Sequence, residues 1–448
     1  MKEIKKYDVL IIGGGASGTA LLYTLAKYSN ISSLALVEKY GELGSVNSHG
    51  RNNSQSLHVG DIEMHYTREK AEKVKPAAMM IPEYLKTLNT QQSETILKKI
   101  QKMALAVGKS EVEEMKERFK EFEGLFPNQR IIERDEIQSL EPNITKDRNP
   151  NVPILALYNP DGHAVNYQAL SESFVEEAVN YNRDADVFLN HEVTKITKNN
   201  ETYHIQMNNS HVFQAQVVIV CADSYSLLLA KQMGYGEEYS LVPVGANFYY
   251  THEVLKGKVY PMQDRKLPFA GVHGDPDILV PNTTRWGPTA KFYPVLEDGK
   301  WSTMGDYFKS ASLGRWKAIK ALTKIMFDRT RFLYFLKSAS YDIPWIGKRL
   351  FVKNVKKIVP SISASDLRLG KGVGGMRLQR VDVHNQSLEL GEGKIIGDNI
   401  IFNMTPSPGA SVCLYNGMRD AETVTEMLGE GYRFNKQDME RDFILSQK

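Results

Sequence analysis

The chain alternates short apolar runs with amphipathic stretches, a spacing that predicts interleaved strands and helices. Residues 7–12 (Tyr-Asp-Val-Leu-Ile-Ile) are an apolar run with branched side chains, the pattern of a buried parallel strand. Glycines follow, then a helical stretch at 17–28 and a second apolar run at 33–38, which together make a βαβ unit. Charge-rich helices are predicted over 68–87 and 111–123, a turn at 158–162 (Tyr-Asn-Pro-Asp-Gly), and a helix at 169–181. Strands are predicted at 188–196, 203–207 and 216–222, and aromatic strands at 246–251 and 290–294 within a longer mixed region. The last segment reads as a strand at 399–403, a Pro/Gly turn and a helix at 411–428.

Composition narrows the class. The chain has 448 residues, 42% hydrophobic and 24% charged, which suits a globular protein of two domains. A net charge of +3 and the absence of a long basic run argue against a nucleic-acid partner. The two cysteines, Cys221 and Cys413, sit in apolar surroundings without CxxC spacing, so neither a disulfide nor a metal centre is expected. No stretch has the roughly 18 apolar residues of a spanning helix, and the N-terminal residues lack a signal-peptide pattern. The expectation is a cytoplasmic protein, at most peripheral on the inner face of the cell membrane.

The glycines carry the first chemistry. Gly13-Gly14-Gly15-Ala16-Ser17-Gly18 fits G-x-G-x-x-G between a strand and a helix, and Glu38 closes the second strand twenty residues after Gly18. Gly13 permits the tight turn, Gly15 the approach of a pyrophosphate, and Gly18 close helix–strand packing; the helix start offers N–H groups to phosphate. Glu38 suits the ribose hydroxyls and repels a 2′-phosphate, and Lys39 beside it joins the cofactor-binding set. The early position of this turn in a long chain favours FAD over NAD. Val193, at a strand that could pack on adenine, and Ala222, at a strand end where backbone could pass the nucleotide, lean the same way; each also reads as ordinary core strand. The fold expected is α/β: a Rossmann-like FAD-binding domain (1–80, 151–230, 365–448) interrupted by a mixed α+β substrate domain (81–150, 231–364), whose sheet is mixed or antiparallel.

Two polar stretches carry a family resemblance. Arg51-Asn52-Asn53-Ser54-Gln55-Ser56-Leu57-His58-Val59-Gly60-Asp61-Ile62-Glu63 is too polar for a core, and Thr405-Pro406-Ser407-Pro408-Gly409-Ala410-Ser411 stands near the other end. Together they resemble the malate:quinone oxidoreductases, FAD enzymes related to 2-hydroxyglutarate oxidases and D-amino-acid-oxidase-like flavoproteins. The segments 267–274 and 285–290 look similar to the same family. At Asp223 the chain departs from the glycine usual in related flavoproteins, which questions the backbone shape there. The resemblance implies oxidation of (S)-malate to oxaloacetate, with two electrons passing through FAD to a membrane quinone.

Oxidising a 2-hydroxy acid requires a hydride donor facing flavin N5, a base for the hydroxyl proton, and cations for the carboxylates. His273 and His58 lie in the family-like segments. His273 is placed as the base and His58 beside the flavin; either could instead be a hydrogen-bonded structural histidine. Arg377 follows the cluster Gly372-Val373-Gly374-Gly375, where backbone could approach the flavin, and its guanidinium suits a carboxylate. Arg285 is a second carboxylate candidate or a solvated surface arginine. Asn53, Ser54 and Gly375 are placed at the flavin end, and Pro408, Gly409, Ala410 and Ser411 open a helix whose N–H groups favour charge on the reduced ring. Residues 313–337 interleave basic and apolar side chains, as a membrane-surface helix does or as a packed helix with a solvated basic face. Open alternatives are a dehydrogenase or oxidase of L-2-hydroxyglutarate or lactate, an amino-acid oxidase, and a non-catalytic flavoprotein.

Overall fold

In the computed structural model the described residues are 4–263, 271–343, 345–389, 393–404 and 408–444. The resemblance segments at 267–270 and 405–407 lie outside them.

The first sheet is nucleotide-binding in topology. Its central strand, β1 (Lys5–Ile12), pairs in parallel with β2 (Leu34–Val37) on one side and with Val212–Val220 on the other. Asp186–Phe188 extends the sheet beyond β2, and Ile400–Asn403 and Lys394–Gly397 extend it beyond Val212–Val220. Val9 and Ile11 enter a core with the helices α1 (Ala16–Tyr28), Tyr167–Tyr181 and Cys413–Leu428. Leu10 and Ile12 enter a second core on the opposite face, which is why the run is apolar without alternation. A second sheet of eight strands, all but one of its pairings antiparallel, runs from Arg368–Leu369 to Arg130–Ile132, and a third of four strands contains Tyr239–Gly245 and Met376–Asp382.

Several elements differ from the sequence reading. The turn placed at 158–162 is instead inside the strand Ile154–Val165, which pairs with Leu97–Val107 across an irregularity between Ile100 and Lys102. A bulge accommodates Pro160 and Gly162 without ending the strand; a Cβ at Gly162 would stand 2.5 Å from the Ile100 carbonyl oxygen. This strand belongs to the second sheet, so 151–230 divides between two sheets. The strand placed at 188–196 is two, Asp186–Phe188 and Val193–Asn199, separated where Asn190 takes φ 59°. The aromatic strands shrink to Tyr249–His252 and Lys291–Phe292. The C-terminal helix begins at Cys413, two residues after Ser411, and 313–337 falls on two helices, Trp316–Met326 and Arg329–Ser340.

Candidate active site

The glycine turn is shaped by backbone contact. Gly13 has φ 113°, and a Cβ there would stand 2.3 Å from the Cys221 carbonyl oxygen; a Cβ at Gly18 would stand 2.0 Å from the Gly13 carbonyl oxygen. Only glycine fits either place. The Gly14 N–H donates to Glu38 Oε2 at 2.6 Å and the Tyr40 N–H to Oε1 at 2.9 Å, fixing the carboxylate at the end of β2. Burial pushes the Glu38 carboxyl up, and these N–H groups pull it back. Ala16 N–H donates to Ser48 Oγ at 3.0 Å, while the Gly15 and Ser17 N–H groups have no partner among the described residues.

A cavity of about 600 Å³ begins here. Gly13, Gly15, Ala16, Ser17, Glu38, Lys39, Val193 and Ala222 line its nucleotide part. Asn53, Ser54, His58, Arg377, Pro408, Gly409, Ala410 and Ser411 line the rest. Gly14, Gly18 and Gly375, also expected at the cofactor, are not on its lining; a Cβ on Gly375 would meet the Asn52 carbonyl oxygen at 2.2 Å. Lys39 is paired with Glu192 at 3.0 Å and with Glu297 at 3.1 Å, a knot that also takes the Tyr225 hydroxyl at 2.7 Å. Asn53 Nδ2 holds the loop before it by donating to the carbonyls of Asn47, Ser48 and His49. The dinucleotide fits this cradle: glycines where side chains cannot go, bare N–H groups at the start of α1, and a carboxylate at the end of β2.

At the other end His58 is the centre of a relay. Its Nδ1 lies 2.7 Å from Glu63 Oε1, its Nε2 lies 3.0 Å from Ser54 Oγ, and its backbone N–H donates to Ser411 Oγ at 3.1 Å. Burial works to raise the Glu63 carboxyl, but the His58 hydrogen bond and the Lys102 charge outweigh it and hold the group well below the carboxylate range. Burial lowers His58, offset only in part by Glu63. The pair is therefore carboxylate and neutral imidazole: Nδ1–H donates to Glu63, and the Nε2 lone pair accepts from Ser54 on the cavity side. Glu63 escapes a sequence reading because a carboxylate five residues after a histidine in a polar stretch looks like surface; the one signal is its place in the Arg51–Glu63 segment.

The other cations and the second histidine are placed differently. The Arg377 side chain lines the cavity, with no hydrogen bond or ion pair among the described residues, and burial lowers its pKa. Arg285 is fully buried, neither on the surface nor on the cavity; it donates to Asp275 at 3.1 Å and to the Gly50 carbonyl at 2.9 Å. His273 is 1% exposed, stacked on Tyr260 with centroids 4.1 Å apart, and bonded through Nδ1 to the Gly271 carbonyl; it does not line the cavity. The base placed at His273 from sequence is thus off the cavity, and His58 is on it. The turn at 408–411 does reach the cavity, and the Gly409 and Ala410 N–H groups have no partner among the described residues. Asp223 also lines the cavity, with φ 47° and ψ −113°: the backbone keeps the shape a glycine would take.

Residues 8–377 match the family described as DAO, FAD dependent oxidoreductase. The malate:quinone oxidoreductase of Helicobacter pylori (strain ATCC 700392 / 26695) is 40% identical over 438 residues, covering 96% of this chain and 97% of that protein. The mitochondrial L-2-hydroxyglutarate dehydrogenase of Homo sapiens is 25% identical, covering 90% of this chain and 86% of that one. Among solved structures, the FAD-bound L-alpha-glycerophosphate oxidase of Mycoplasma pneumoniae aligns with a TM-score of 0.65 at 17% identity, covering 97% and 98%.

Proposed function

Since the chain belongs to the malate:quinone oxidoreductases within the FAD-dependent oxidoreductase family, we propose that its cavity oxidises (S)-malate to oxaloacetate for a membrane quinone. The observation that carries the substrate reading is a guanidinium, Arg377, with no ion pair among the described residues, in the same cavity as a neutral histidine held by a carboxylate. When bound, FAD supplies the hydride acceptor and the path of two electrons to the quinone.

His58 Nε2 takes the proton of the 2-hydroxyl, displacing the Ser54 hydroxyl that now donates to it. Glu63 positions the ring and stabilises the imidazolium that forms. Arg377, half-buried and with no ion pair among the described residues, grips a substrate carboxylate. The N–H groups of Gly409 and Ala410, without partners among the described residues, offer a positive end to charge on the reduced ring.

Anaerobic mixing of the flavoprotein with malate, lactate and 2-hydroxyglutarate tests the substrate, with an artificial acceptor for turnover. Bleaching of the yellow absorbance by malate first is the expected result; bleaching by another acid alone rejects malate.

The quinone end calls for a bilayer contact. Among the described residues no helix is long and apolar enough to span. The helix Trp316–Met326 packs Ala318, Ala321, Leu322 and Ile325 inward, as a core helix does. Beyond it, Phe327, Leu333, Leu336 and Ile346 are more than half exposed, and Trp345 is 89% exposed. With Arg329, Lys337, Lys348 and Arg349 around them, they suit insertion into an anionic interface.

A further inference from the structure

Asp223 is costly to keep. It follows the strand Val212–Val220 and precedes the helix Ser224–Gln232, in a backbone region that glycine enters freely and other residues enter under strain. Its side chain caps no N–H of that helix beyond the adjacent Ser224. A carboxylate oxygen accepts from the Asn47 carboxamide, whose Nδ2 also reaches the Met376 carbonyl at 3.1 Å. No cation is paired with it among the described residues. The side chain is exposed to the open cavity, yet the protein around it pushes this carboxyl up to about 6, against the pull of the Asn47 and Ser224 hydrogen bonds.

Its position says what it meets. Asp223 stands two residues past Cys221, whose carbonyl is the atom a side chain on Gly13 would strike. Its partner Asn47 precedes Ser48, whose Oγ accepts from the Ala16 N–H, so Asp223 lines the same cavity as the glycine turn, where the Gly15 and Ser17 N–H groups have no partner among the described residues. An ionised carboxylate beside a phosphate repels it; a carboxylic acid donates a hydrogen bond to it. We propose that Asp223 binds the phosphate-bearing part of FAD as a carboxylic acid, so that retaining the cofactor takes up a proton. The other titratable groups on the cavity have partners of their own or stand apart: His58 is bonded to Glu63, His191 to the Leu189 carbonyl, and Glu192 is paired with Lys39. Lys39 is tied to Glu297 and Asp306 to Lys309, Glu38 accepts from backbone, and Arg377 has no bond to Asp223.

The sign follows from linkage. The bound state favours the protonated form, so affinity is greatest below the pKa of the empty site and falls as pH rises above it. The test dilutes the holoprotein across a pH series and reads the fluorescence of released FAD. The dissociation constant is expected to rise about tenfold per pH unit above roughly pH 6, levelling off only at the higher pKa of the bound form. Asp223→Asn, which keeps a donor but cannot ionise, is expected to hold FAD with a flat profile. A flat profile in the wild type, or a slope that persists in Asp223→Asn, overturns the proposal. If that variant does not fold, wild-type calorimetry of FAD binding in two buffers of different ionisation heat decides instead. Uptake approaching one proton near ~pH 7 supports the assignment and zero uptake overturns it.

Discussion

Replacing Glu63 by Gln changes one atom and is expected to disable His58 twice over. The Gly60 N–H donates to Glu63 Oε2 at 2.9 Å, so the variant's amide oxygen must stay on that side. Its NH2 then faces His58 Nδ1, which must accept. The ring proton moves to Nε2, the nitrogen that has to receive the substrate proton. The imidazolium also loses its counter-charge. The contact is 2.7 Å, but the ring charge is shared between both nitrogens, so the mean separation is about 4 Å, worth about 4 kcal/mol at an effective dielectric of about 20. Allowing for relaxation to about half that, flavin reduction by malate slows by about 30- to 1000-fold. Anaerobic stopped-flow at the flavin band measures it, and the oxidised spectrum confirms that FAD is retained. In the wild type the rate falls only as pH drops through the lowered His58 pKa, below the ordinary histidine value of about 6.5. If Glu63→Gln reduces flavin within about fivefold of wild type with the same pH profile, His58 is not the base held by Glu63.

Arg377→Met removes a charge-assisted contact worth about 1.5–3 kcal/mol, so malate affinity falls by about 10- to 200-fold, read by titrating the flavin spectrum. Arg377→Lys recovers only part, since an ammonium lacks the planar fork. Lys102 and Asp61 form an ion pair at 2.9 Å with side chains 1% and 0% exposed; Lys102→Met leaves a buried carboxylate and costs about 3–5 kcal/mol in denaturant unfolding. Leu333→Asp combined with Trp345→Asp abolishes sedimentation with anionic vesicles while leaving flavin reduction by malate unchanged. Charge reversal of Lys317, Lys320 and Lys324, on a helix whose apolar face is already packed, weakens sedimentation less.

The nucleotide half was legible because its signals are local. A doubly buried strand must be apolar throughout, and the turn at Gly13 and Gly18 admits no Cβ, so the sequence carries both in the open. The strand Ile154–Val165 was hidden because Pro160 and Gly162 mark a turn and a bulge alike; the difference lies in Leu97–Val107, which no local pattern announces. Arg285 and His273 show the same limit for side chains. The Arg285 charge is taken up by Asp275 and by the carbonyl of Gly50 on a distant turn, and His273 is covered by Tyr260; the second sheet brings Asp275 and Tyr260 to them. Asn47, Ser48 and Glu63 act from irregular backbone, where polar residues have no period to betray their direction.

The parallel pairing of β1 with Val212–Val220, and of that strand with Ile400–Asn403, has a consequence for biogenesis. The glycine turn is made some two hundred residues before the wall it presses against, and the Gly409–Ala410 amides follow later still. A nascent chain therefore exposes a nucleotide motif long before it has a nucleotide site. The cavity is complete only with residues as far along as Ser411, so capture of the flavin waits for synthesis through that segment.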